Sequence, residues 1–128
     1  MRPKELLAIR CILALVWLYN GLYLKLILID PKHLQVVEAV GQVGPLSPQH
    51  FLMLIGAGET LLGLAILSSW FYPFLCLFQL ALVILMNLIG SLSGGVTDPI
   101  ALVVTNLPFL ACIYTAYRCG PGSLKNEP

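Results

Sequence analysis

The chain has 128 residues, of which 59% are hydrophobic and only 10% charged, and its mean hydropathy is +0.91. Soluble domains are nearer about 45–50% apolar and about 25% charged, and a chain this short cannot bury the excess in a water-facing ball. That excludes a soluble globule. A net charge of +1 with no basic patch also argues against nucleic acid as a partner.

The expected class is all-α: an integral membrane four-helix bundle with a short amphipathic helix in its first outer loop. A spanning helix needs about 20 mostly apolar residues, and the sequence offers four such runs. The first extends over about 6–29 and stops at Asp30-Pro31. It is no signal peptide, because no small-residue cleavage site follows it and three similar runs do. The segment 31–44 places Val36, Val37, Val40 and Val43 at helical spacing, with Lys32, Gln35, Glu38 and Gln42 largely opposite. It reads as an interfacial helix over the outer mouth of the bundle. The second span covers about 50–69 and the third about 72–93, which ends at Gly94-Gly95. The fourth covers about 99–118, with Pro99 suited to its first turn and Asp98 to its N-cap. One membrane domain, 1–119, is followed by a polar tail, 120–128.

Lysine and arginine placement sets orientation. Arg2, Lys4, Arg10, Arg118 and Lys125 fall on the side that holds both termini, whereas the opposite loops contain Lys32. Both termini are therefore expected in the cytoplasm. Trp70, Tyr72 and either Tyr114 or Tyr117 suit interfacial belts, while Trp17 is mid-span.

Polar residues inside the spans are few: Asn20, Lys25, Glu59, Gln79, Asn87 and Asn106. At about 1.5 Å of rise per residue, Lys25, Asn20, Glu59, Asn87 and Asn106 fall about 6 to 13 Å from the outer helix ends, in one slab. A helical Cβ leans toward the helix N-terminus, so Lys25 on an outward-running span and Glu59 on an inward-running one lean toward each other. Gly56, Glu59, Thr60 and Gly63 share one face of the second span, and Gly21 lies one turn before Lys25. Such small-residue faces let helices approach closely. Two readings stay open. Lys25–Glu59 with the asparagines is either a clasp that fixes helix register, or the lining of a small outward cavity that takes a polar head group, a quinone ring or a proton.

No metal or nucleophile motif competes with this layer. Cys11, Cys76, Cys112 and Cys119 include no CxxC pair and read as small hydrophobes. His33 and His50 flank the outer loop without a third ligand and read as polar interfacial residues.

"WLYNGLYLKLI" at 17–27, "DPKHL" at 30–34, "GAGETLLGLAIL" at 56–67 and "TNLPFL" at 105–110 together resemble the DoxX-like family of small four-helix membrane proteins. The resemblance covers roughly residues 10 to 115 and picks out Gly21, Lys25, Glu59 and Asn106. Its namesake is a small membrane subunit of a thiosulfate:quinone oxidoreductase, and related proteins accompany redox enzymes. The resemblance thus implies a non-catalytic subunit or a quinone- or lipid-binding module in a bacterial inner membrane. Its partners would be the bilayer and a soluble or membrane oxidoreductase, with a homo-oligomer left open. The lack of a cysteine pair argues against a thiol-redox role of its own. The alternatives are a small proton-coupled carrier using Glu59, and a purely structural or assembly protein. The absence of an obvious inverted repeat counts against alternating access.

Overall fold

The computed structural model describes residues 2–41, 44–68 and 72–120. The expectations placed on Gln42, Val43, Ser69, Trp70, Lys125 and the rest of the tail from residue 121 lie outside them. The fold is all-α. Helix α1, Pro3–Leu18, continues without a break into a π-helix, Tyr19–Ile27. Then follow α2 over Pro31–Val40, α3 over Pro48–Ser68, α4 over Tyr72–Leu92 and α5 over Pro99–Cys119. All but α2 are long and apolar enough to cross a membrane, so the chain is a multi-pass membrane protein.

Sequence-local signals set the helix starts. Proline opens α1, α2, α3 and α5, where its missing N–H costs nothing because first-turn amides have no intrahelical partner. Asp30 accepts from Lys32 N at 2.9 Å, and Asp98 accepts from Ala101 N at 3.0 Å. Each carboxylate satisfies one of those amides and complements the helix dipole. The first span begins at Pro3, earlier than its hydropathy alone marks, because Arg2 and Glu5 close its first turn through a 2.7 Å hydrogen bond.

α1 and its π extension run along α3, α5 packs on both α1 and α4, and α2 packs on α3. Glycines set the closest of these approaches. A Cβ at Gly56 would lie 2.7 Å from Lys25 Cβ, and one at Gly63 would lie 2.9 Å from Leu18 Cγ. The end that carries the N-terminus is tightly apolar, with Leu13, Ile113 and Ala116 at 0–1% exposure. Arg10 Nη2 closes the last turn of α3 there by donating to the Ile66 and Leu67 carbonyls at 3.1 and 2.9 Å. At the other end, α2 lies against α3 and against the turn after α4, where a Cβ on Gly95 would lie 2.7 Å from Val36 Cα. Large apolar side chains such as Leu15, Ile27, Leu61, Leu92 and Ile100 face outward, which costs nothing against lipid tails.

Candidate functional site

The first span departs from α geometry where the chemistry lies. Sequence reading treats it as one regular helix. The structure widens its turns from Tyr19 to Ile27, with Leu28 N donating to Tyr23 O five residues back. π segments are rare and recur at functional sites. Asn20 Nδ2 donates to Val16 O at 2.9 Å, a second bond to a carbonyl at the junction between the two helix types that also accepts from Tyr19 N. Gly21 faces α3 so closely that a Cβ there would lie 2.7 Å from both Glu59 Cβ and Gly56 O.

That close approach brings Lys25 Nζ to 2.7 Å from Glu59 Oε2. Lys25 is 6% exposed and Glu59 3%, so the two charges neutralise each other away from water. The ammonium also points toward Asn20 O at 3.4 Å. It has three protons, which leaves one for a further acceptor.

A second pair is neutral. Asn106 Nδ2 donates to Asn87 Oδ1 at 2.8 Å and so joins α5 to α4. An amide nitrogen has two protons, and the other remains to be used. Thr60 uses its hydroxyl on Gly56 O at 2.7 Å within its own helix. The expected layer is thus two pairs, with Gly21 as the spacer that admits the first.

Two cavities adjoin these pairs. One, of about 350 Å³, is lined by Lys25, Glu59, Asn20, Asn106 and Thr105 together with the apolar Val16, Trp17, Val83, Met86, Leu102 and Phe109, with His33 at its edge. The other, of about 300 Å³, lies under α2 among Val36, Val37, Ile55, Ile89 and Leu102, and it too touches Lys25 and His33. Both are at the small end of ligand-site volumes.

Two features escape the sequence reading. Trp17 is 3% exposed and donates through Nε1 to Gln79 Oε1 at 2.9 Å; its ring centroid is 5.6 Å from that of Phe109. The signal was a mid-span tryptophan on one helix and a mid-span glutamine on another, since a buried indole N–H needs an acceptor. His33 is more than interfacial. It lines both cavities, and its Nδ1 is buried with no hydrogen-bond partner among the described residues. Burial first, and then the nearby Lys25 charge, pushes its pKa below the usual imidazole value, although Asp30 pulls the other way. The valine spacing sets α2 over the outer mouth of the bundle, as found, but does not fix its depth or rotation there, so the surroundings of His33 could not be read from it. His50 instead pairs with Ser47 Oγ, at 2.9 Å from Nδ1.

Among the described residues, no three His, Cys, Asp or Glu side chains come together to hold a metal. No match is found among curated proteins or solved structures. The DoxX-like family model matches residues 14–114, a stretch that contains the π segment, the Lys25–Glu59 pair, α2 and the Asn87–Asn106 pair. The chain belongs to the DoxX-like family.

Proposed function

We propose that the protein is a non-catalytic membrane module that binds a quinone ring or a comparable polar lipid head group and supports a membrane-linked oxidoreductase. One observation carries the reading: the cavity of about 350 Å³ beside Lys25 and Glu59 has aromatic and apolar walls broken by a few convergent polar groups. That is the usual make-up of a small-molecule site. Spare protons on the Lys25 ammonium and the Asn106 amide suit the carbonyl oxygens of a quinone. Trp17 and Phe109 offer faces for a flat ring. A clasp alone would need the ion pair but no space beside it.

Trp17 reports on the test directly. In a Trp70→Phe background it is the remaining tryptophan, and a quinone in contact with it quenches its emission. Saturable quenching in reconstituted protein is expected. Asn106→Leu, which removes an amide donor from the cavity wall, should weaken binding about tenfold, the value of one hydrogen bond at roughly 1.4 kcal/mol. Quenching that never saturates, or equal affinity in Asn106→Leu, refutes the assignment. The location that goes with this reading is a bacterial inner membrane with both termini cytoplasmic, supported by the clustering of cations near the termini.

A further inference from the structure

The two cavities share Lys25, His33, Met86 and Leu102 in their walls. They differ in character. The one beside Glu59 includes asparagines and the ion pair, whereas the one under α2 is bounded, apart from Lys25 and His33, by apolar residues of α2, α3, α4 and α5. Space of the second kind favours apolar atoms, at about 0.8 kcal/mol per buried CH₂.

Charge narrows the polar end. The titratable groups that line either cavity are Lys25, Glu59 and His33. Lys25 and Glu59 cancel at 2.7 Å. Burial and then the Lys25 charge push the His33 pKa below the usual imidazole value, which favours its neutral form. No surplus cation remains on these walls to receive a phosphate or a carboxylate, and an extra anion would be drawn out of water unpaired. The buried Nδ1 of His33, a residue common to both walls, has no partner among the described residues, so the junction itself suits a polar atom.

From this we infer one bipartite site: the cavity beside Lys25–Glu59 takes a neutral, acceptor-bearing head, and the cavity under α2 takes the first carbons of a single apolar tail attached to it, with Lys25 and His33 at the joint. The inference rests on the head-group reading above and adds the tail, the neutrality of the head and the role of α2. The occupant is thus a neutral amphiphile. Isoprenoid quinones and uncharged single-chain lipids share that chemistry, whereas phosphate- and carboxylate-headed lipids do not.

The test uses the full chain carrying Trp70→Phe in phosphatidylcholine nanodiscs, with Trp17 quenching as the readout. A tailless dimethoxy-methylbenzoquinone and its decyl derivative are compared in two proteins: the otherwise unchanged chain and the tail-cavity variant Val36→Phe with Ile55→Phe. Comparing proteins rather than ligands cancels partition of the tailed quinone into the bilayer. The tail cavity should contribute at least about tenfold in affinity for the decyl compound, equivalent to burying two or so CH₂ groups. The filled variant should lose that increment and keep its affinity for the tailless ring. Val40→Phe, at the exposed rim of the same cavity, is the second variant should the double change fail to fold, and the same loss is expected. Uncharged dodecylglycerol should displace the decyl quinone, and dodecyl phosphate should not.

Retention of the full tail increment in the folded variants overturns the bipartite site and leaves the head-group reading standing. Displacement by dodecyl phosphate as effective as by dodecylglycerol overturns the neutrality of the head. Absence of saturable quenching by either quinone defeats the head-group reading, and the inference with it.

Discussion

Removing one partner of a buried ion pair leaves a charge that nothing compensates, at a cost of about 3–5 kcal/mol. With Lys25 and Glu59 both nearly inaccessible and 2.7 Å apart, Lys25→Met alone and Glu59→Leu alone should each lower the melting temperature of the purified protein sharply. Lys25→Met with Glu59→Leu together should recover most of the loss, because no lone charge remains. A double variant no more stable than the singles contradicts that coupling. Gly21→Ala is expected to cost about 1–3 kcal/mol, because its methyl group would meet the α3 backbone at Gly56 O and Thr60 N. His33 adds a pH dependence whose sign follows from its lowered pKa. The unfolded chain binds the proton more readily, so stability from His33 is complete above the unfolded imidazole value of about 6.5 and declines as pH falls below it. The charged groups that bear on it are Lys25, Asp30 and, across the shared cavity, Glu59. Amide protection in α2, after correction for the intrinsic pH dependence of exchange, should fall between pH 7 and pH 5, and His33→Phe should flatten that change; equal protection at both pH values rules it out. Lys25 facing Glu59 was legible because depth and Cβ direction are simple consequences of helix geometry. His33 was not, because its surroundings depend on where a loop helix docks.

Elements were legible wherever one physical signal dominates. Apolar run length marks the spans, and the Asp-Pro steps at 30–31 and 98–99 mark the starts of α2 and α5. The π segment was not legible, since π and α helices draw on the same residue types and differ only in which carbonyl each amide meets. Its exit shows the same limit. Ile29 has φ +52°, a left-handed conformation that is an outlier for a β-branched residue and costs on the order of 1–3 kcal/mol. It makes the corner between the π segment and α2, and Asp30 N reaches back to Leu24 O at 2.7 Å. Ile29→Gly should therefore raise the melting temperature, by about 1 kcal/mol in stability. A lowered melting temperature would show that packing of the Ile29 side chain outweighs the strain.

At the scale of the molecule, composition alone decides the solvent: a chain with this much outward-facing leucine and isoleucine belongs in a bilayer. The cytoplasmic placement proposed for both termini has a direct test: a fluorescent protein fused to the C-terminus should fluoresce in bacterial cells, as it does only on the cytoplasmic side. A dark fluorescent-protein fusion, together with an active alkaline phosphatase fused at the same position, would reverse the orientation. A small cavity beside Lys25–Glu59 was one of two readings open in the sequence, but the space under α2 was beyond it, because a void is set by which helices fail to meet, and residues of α3, α4 and α5 line that space. The central claim is that the Lys25–Glu59 pair serves a guest as well as the fold. Quinone binding by the folded Lys25→Met with Glu59→Leu double variant tests it most directly, by Trp17 quenching beside a melting curve. Stability near that of the unaltered protein is expected, with affinity weakened at least about tenfold, the value of one hydrogen bond to a charged donor. Undiminished binding in that folded variant would contradict it and leave the pair as a clasp alone.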